Sequence, residues 1–487
     1  MRRFRVLLLL LAACSSAPSA PIESVAQTPS WTGPALTPRV APPAPASLQA
    51  PASSVVAPAS ASIVVASSPA PVGAAPSASP ASAPTAAPLA AAPVEAPPKL
   101  NVLLVTVDAL RADMPWAGYP RDIAPNLTAL AKESVVYGRA YSISSYTAMS
   151  IGGLLAGRYP AELERSGYFF SAYPDEVTFF PELLQRAGVR TMAAHAHFYF
   201  DQKSGFRQGF DDYRIVPGLV EDRNTAREIT SPEHLALALD MLREPKNTGG
   251  QFFAWFHFLD PHDIYRAHEG IRFGGKARDL YDGEVFFTDR HLGKLFEFVR
   301  SQPWGDRTAI VVTADHGEAF GEHRMVRHGF EIWEMLVRVP LIVKVPGAAP
   351  RRVDTPRSAI DLAPTILELL GVAAPSDFQG KSLVPEVKAG VTPLPRDVIV
   401  DLPRTSDSFR RRALVWDRYK VIAYDDDYRF EVYDLVDDPG EKKDLRRSRP
   451  EVYERMKARY LDRVKSIREV CPKMRAKLKG KRKDKPC

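Results

Sequence analysis

A chain of 487 residues has room for two or three domains, and its formal charge of +7 has a local origin. Between 473 and 487, Lys473, Arg475, Lys477, Lys479, Lys481, Arg482, Lys483 and Lys485 stand against Asp484 alone. The rest is close to neutral and shows no nucleic-acid fold signature, so no nucleic-acid partner is expected; the basic end reads as a solvated tail, with anionic lipid, surface polysaccharide or nucleic acid as what it would otherwise touch.

In chain order, Arg2, Arg3 and Arg5 precede the apolar run 6–11 and then Leu11-Ala12-Ala13-Cys14. The run is too short to span a bilayer as a mature helix, and the small residues before Cys14 suit a signal peptidase. The pattern resembles a bacterial lipoprotein signal, with Cys14 as the lipidation site; an ordinary secretory signal is the alternative. Either way the product leaves the cytoplasm, and the expectation is a lipid-anchored protein of the bacterial cell envelope. Residues 15–98 are rich in Ala, Pro and Ser, with Glu23, Arg39 and Glu95 as the only charges. Such a segment cannot offset its ordering entropy, so it reads as a disordered tether. Cys471 and Cys487 remain as a pair or as two free thiols.

From 99 the character changes. Residues 101–107 form a continuous apolar run rich in β-branched side chains, as in a strand buried on both faces, and similar runs lie at 189–194, 252–259, 308–314 and 340–345. Helical patterns lie between them at 125–133, 147–156, 176–187, 232–242, 281–300 and 362–370. This alternation predicts an α/β catalytic domain over 99–396, three-layered, with helices on both faces of a mostly parallel sheet. Residues 397–468 read as a small α+β subdomain, with strands near 413–416, 419–424 and 430–433 and a closing helix at 451–468; 469–487 is the tail.

In such sheets ligands gather beyond the carboxyl ends of strands. Polar residues recur there: Asp108, His195 with His197, Asp260 with His262, and Asp315 with His316. Asp108, Asp315 and His316 would make a divalent-cation site if they meet, although Asp108 taken alone reads first as a helix N-cap. Thr147 opens a predicted helix, where unpaired N–H groups and the dipole favour an anion; the plainer alternative is again a cap.

Several motifs fall in the order seen in sulfatases: DALRAD at 108–113, the 147–160 segment, FRQGFD at 206–211, HFLDPHD at 257–263, YDGE at 281–284 and DHGEAFGEH at 315–323. RVPLI at 338–342, DLAPT at 361–365 and YDLVDDPGE at 433–441 extend the series. The chain therefore resembles the sulfatase family of the alkaline phosphatase superfamily. The resemblance implies one divalent metal, calcium first and manganese, magnesium or zinc next, held by Asp108, Asp315, His316 and the Thr147 oxygen. It implies Thr147 as nucleophile, His262 as the acid that protonates the leaving group, and His328 in contact with a nonbridging oxygen. His197 and His257 would line the substrate pocket, although His257 reads equally as a core residue; of His195 and His197 at most one is expected to reach the site. His323 and His268 read as surface residues. The implied substrate is an anionic sulfate or phosphate ester.

Sulfatases that mature a formylglycine begin this segment with cysteine or serine, followed by proline two residues on and arginine four residues on. Here the positions are Thr147, Met149 and Ile151. Threonine cannot give that aldehyde, and a supporting positive charge is missing. Threonine nucleophiles occur in sulfatase-like phosphodiesterases, nucleotide pyrophosphatases and envelope transferases. Hydrolysis of a phospho- or sulfo-ester is therefore expected, leaning towards phosphorus, with an envelope phosphoryl transferase or a non-catalytic binding protein as alternatives.

Overall fold

Seven consecutive fully buried residues make Asn101–Val107 (β1) the middle of the sheet, since a strand covered on both faces has no solvent side to carry polar residues. The computed structural model describes residues 99–201, 203–219, 229–405 and 408–472. The leader with Cys14, the tether, Cys487 and the basic stretch from 473 lie outside the described residues. Cys471 is disulfide-bonded.

The other strands of the main sheet are Val135–Tyr137 (β2), Arg190–His195 (β3), Asp212–Ile215 (β4), Phe252–Phe258 (β5), Thr308–Ala314 (β6), Leu341–Lys344 (β7) and Arg351–Val353 (β8). Their order is β8-β2-β7-β6-β1-β5-β3-β4. The block from β6 to β4 is parallel throughout, and β7 runs against its neighbours. The helices are Pro125–Lys132 (α1), Thr147–Ala156 (α2), Phe180–Arg186 (α3), Ser231–Arg243 (α4), Ala277–Ser301 (α5) and Leu362–Leu369 (α6). α5 packs with α1 and α4, and α2 packs with α3 and α6, giving the helix layers on the two faces. The expected helix at 176–187 begins only at Phe180, where Pro181 sits in its first turn and sets the start.

The C-terminal part is an antiparallel meander of Val398–Leu402 (β9), Arg411–Trp416 (β10), Tyr419–Tyr424 (β11) and Arg429–Asp434 (β12), closed by Pro450–Val464 (α7) against β11 and β12. β9 was not among the expected strands, and the closing helix ends four residues sooner. Among the described residues, no helix is long and apolar enough to cross a membrane.

Candidate functional site

Parallel pairing of β1 with β6 sets Val107 beside Ala314, so the next residues, Asp108 and Asp315, emerge together at the carboxyl ends of two adjacent strands. The residue after each strand is where a parallel sheet presents side chains to a ligand. No helix follows Asp108; the chain turns through Ala109 in the left-handed region at φ 56°, and the Ala109 N–H donates to Asp315 Oδ1 (3.3 Å). The capping alternative for Asp108 is thus closed.

Asp108, Asp315 and His316 offer ligand atoms within 4.8 Å of one another, all from buried side chains. The surrounding bonds leave one free atom on each. Asp315 Oδ1 accepts from the N–H groups of Ala109 and His316 (2.9 Å for the latter), while Asp315 Oδ2 has no hydrogen-bond partner. Asp108 Oδ2 faces His257 Nε2 (3.2 Å), while Asp108 Oδ1 is likewise unpartnered. The His316 Nδ1–H donates to the Gly317 carbonyl (2.9 Å), which leaves the Nε2 lone pair 3.4 Å from both orphaned carboxylate oxygens. Two buried carboxylate oxygens and an imidazole lone pair converging without a proton among them is a donor set for a divalent cation.

The electrostatics agree. Burial pushes Asp315 up, reinforced by the facing Asp108. Burial acts the same way on Asp108, but His262, the His257 hydrogen bond and His316 hold it well below the ordinary carboxylate range. His316 is pushed down by burial, so its imidazole is neutral and able to donate its lone pair.

Thr147 is the first residue of α2, after an extended Tyr146, and it is the only residue of that helix not buried. Its Oγ1 lies 3.4 Å from Asp108 Oδ2 and 3.3 Å from His316 Nε2, so the structure brings together the four groups expected to share one cation. At the other end α2 stops at Gly157, in the left-handed conformation, where a Cβ would meet the Phe378 ring at 2.5 Å.

Behind Asp108 runs a relay. The Trp255 indole N–H donates to Thr106 Oγ1 (2.9 Å), so the Thr106 hydroxyl proton is directed to His257 Nδ1 (2.7 Å). His257 then carries its proton on Nε2 and donates it to Asp108. His257 is fully buried, so it does not line the pocket as the resemblance implied: β5 places it beside Thr106, under the carboxylate rather than beside substrate. His195 is also withdrawn; it is fully buried and stacked on Phe200 at 4.3 Å.

A cavity of about 1160 Å³ opens over Thr147 and Asp108, and His197, His262 and His328 line it. The His262 Nδ1–H donates to the Asp263 carbonyl (2.7 Å). His328 faces His316 with ring centroids 4.1 Å apart, and its Nδ1 is held by Glu318 (3.2 Å). Glu318 is fully buried; burial pushes its carboxyl up, but His328 outweighs this and leaves it below the ordinary range. His323 is exposed as expected, stacked on Trp333. His268 is not a surface residue: Glu284 binds its Nε2 (2.7 Å) and Phe287 covers its ring.

Sequence reasoning missed three features. Glu318 sits inside the DHGEAFGEH motif, where nothing in the sequence marks it as the partner of His328. The Thr106–Asp108 and Trp255–His257 pairs each share a strand face at a spacing of two, a signal that would have found the relay. The aromatic cavity wall comes from loops and has no comparable signal.

An α/β sheet thus carries two carboxylates and an imidazole at its strand ends, a group that could hold a metal ion, facing a hydroxyl on a helix start. Residues 100–372, more than half of the chain, match the Sulfatase family, and residues 321–469 match the family described as N-sulphoglucosamine sulphohydrolase, C-terminal. The chain belongs to the sulfatase family. It is 24% identical over 339 residues to an Ulvan-active sulfatase of Formosa agariphila, covering 60% of this chain and 66% of that protein, just under two thirds of its length. The fold is similar to that of a putative sulfatase from Bacteroides thetaiotaomicron (TM-score 0.64, 20% identity, 76% of this chain and 92% of that one). It is also similar to the phosphonate monoester hydrolase of Agrobacterium radiobacter (TM-score 0.63, 18% identity, 76% and 95%).

Proposed function

We propose that this chain hydrolyses a sulfuric or phosphoric ester through a covalent intermediate on Thr147, with phosphorus favoured. The observation that carries the reading is the position of Thr147 Oγ1, 3.3 Å from His316 Nε2 and 3.4 Å from Asp108 Oδ2 on the floor of the cavity. Asp108, Asp315, His316 and Thr147 would hold one divalent ion, which lowers the pKa of the hydroxyl and screens its repulsion from an anionic ester. The imidazole among the donors tilts the choice from calcium, which takes oxygen ligands, towards manganese or zinc.

Thr147 gives up its hydroxyl proton to solvent and attacks in line, its Oγ1 forming a bond to phosphorus or sulfur as the ester bond to the alcohol breaks. His262, its Nδ1 anchored on the Asp263 carbonyl, delivers a proton from Nε2 to the departing alkoxide. His328, oriented by Glu318, contacts a nonbridging oxygen, and His197 lines the cavity. Water then cleaves the Thr147 ester and restores the hydroxyl. Threonine has no aldehyde hydrate through which to expel sulfate, and this favours a phosphoryl group. The names of the relatives, with sulfate for one and phosphonate for another, are compatible with either acid. Lipidation of Cys14 would place this activity at the cell envelope.

The test is metal analysis of the purified chain with a panel of aryl phosphate diesters, phosphonates and sulfates, for the natural protein and Thr147→Ala. Turnover is expected to fall at least about 10³-fold in the variant, with the metal reduced but its unfolding midpoint retained. Turnover insensitive to Thr147→Ala would remove the nucleophile. Failure on every ester would favour a binding protein, and products bearing an added alcohol would favour a transferase.

A further inference from the structure

The cavity is much larger than a tetrahedral acid group, and one wall of it is an aromatic stack whose exposed end is Phe330. Tyr146 stacks on Phe169 (centroids 4.3 Å apart, planes 14° from parallel), and Phe169 stacks on Phe330 (5.7 Å, 28°). Tyr146 is the residue before Thr147, and Phe330 lies two residues after His328, so the stack begins and ends beside groups placed at the reacting centre. Gly329 makes this possible: its φ is +95°, and a Cβ there would lie 2.8 Å from the Phe169 ring. Phe330 is nevertheless 49% exposed, and Val326, which lines the same cavity, is 67% exposed.

Charge narrows the occupant. Among the described residues, and apart from Asp108 on the floor, the charged side chains lining the cavity are Asp201 and Asp263 against Lys203 and Arg327, a sum of zero, and Arg327 is paired with Asp263 at 2.9 Å. A polyanionic glycan would need a cationic track, and the described residues of this lining supply none. A flat ring face, by contrast, matches the offset-stacked geometry that Tyr146, Phe169 and Phe330 already display.

Resting on the hydrolase reading above, we infer that the alcohol half of the substrate is a neutral, planar, apolar group seated on the exposed ring of Phe330, which the buried Tyr146 and the partly buried Phe169 back as a stack, as in an aryl ester. The acid group reaches Thr147, and the leaving alcohol departs along the rings.

The probe is 2-naphthol, whose intrinsic fluorescence reports binding without turnover, titrated into the full chain and into Phe330→Ala. Saturable binding that weakens about tenfold in the variant is expected, together with a similar fall in the ratio of kcat/KM for a 2-naphthyl ester over the methyl ester of the same acid. Unchanged naphthol affinity in a folded Phe330→Ala protein would overturn the inference. Should that variant fail to fold, competition on the unaltered protein decides: displacement of naphthol by methyl α-D-glucopyranoside at comparable concentration overturns the Phe330 seat, and its failure to displace supports it. Phe330-dependent naphthol binding without turnover of any ester would keep the Phe330 seat and remove the hydrolase reading. Turnover whose aryl preference ignores Phe330 would do the reverse.

Discussion

Asp108 owes its orientation to a side chain that never reaches substrate. With Trp255 donating to Thr106 and Thr106 donating to His257, the only proton left to His257 is on Nε2, aimed at Asp108 Oδ2. Oδ1 is then the oxygen offered to a cation. Loss of such an outer partner typically costs 10–100-fold in metal affinity. His257→Phe is therefore expected to weaken manganese or zinc binding by about 10–100-fold in a calorimetric titration, and His257→Gln, whose amide N–H reaches a similar position, to recover part of it. Equal affinities for all three proteins would show that Asp108 needs no help from the relay. The same logic applies to Glu318 and His328: Glu318→Gln keeps the shape but not the charge that holds Nδ1, and kcat is expected to fall about tenfold or more with little change in KM, read from steady-state kinetics on an aryl ester.

Elements that are long and buried were legible in the sequence, and those that depend on a neighbour were not. β6 and α2 occupy the expected residues because an apolar run of seven or ten has one way to be buried. β4, half-buried at the sheet edge, and β9, whose Asp401 is paired with Arg412 across the meander, carry no such run. Asp108, Thr147, Asp315 and His316 were legible through ordered motifs. The depth of His257 was not, because it depends on the register of β5 against β1. Helix α4 shows what a buried imidazole does to the element that carries it. His234 is fully buried, its Nε2–H donates to the Ala194 carbonyl (3.0 Å), its ring stacks on Phe258, and its Nδ1 has no partner. Burial, and then the nearby His257, push its pKa down to about 3 from an ordinary 6.5. The folded state thus binds fewer protons than the unfolded chain between these values, so stability is retained above pH 6.5 and lost as pH falls towards 3. One such group gives a slope of up to about 1.4 kcal/mol per pH unit. His234→Gln, which keeps a donor for Ala194 but does not titrate, is expected to flatten the fall in urea-unfolding free energy between pH 6.5 and 4.5 by about that slope. Parallel curves would reject the assignment.

Across the whole molecule, the meander is joined to the wall of the cavity over Thr147 by a buried charge cluster. Lys420 on β11 is fully buried; its Nζ donates to the Ile332 carbonyl (2.8 Å) and pairs with Glu334 (3.1 Å) and Glu441 (2.9 Å). Ile332 and Glu334 follow the segment that carries His328 and Phe330, so a single ammonium ties the C-terminal sheet to a cavity wall. All three ionic partners fall within 321–469, the stretch matching the C-terminal family unit. Removing one partner of a buried ion cluster costs about 3–5 kcal/mol because the other charges stay buried without compensation. Lys420→Met should lower unfolding free energy by about that amount at pH 8. The loss should itself depend on pH. Burial already pushes Glu441 up to about 7, despite the pull of Lys420, from an ordinary 4.5. A carboxyl with a raised folded pKa favours the folded state at low pH and ceases to do so as pH rises through that value. Without the ammonium the push is stronger, so the deficit of Lys420→Met relative to the natural protein should shrink as pH drops from 8 to 5, and Lys420→Met with Glu441→Gln should recover stability at pH 8. Urea unfolding of the three proteins at both pH values measures this. A deficit that is constant with pH would mean that Lys420 acts through packing of its stem rather than through charge.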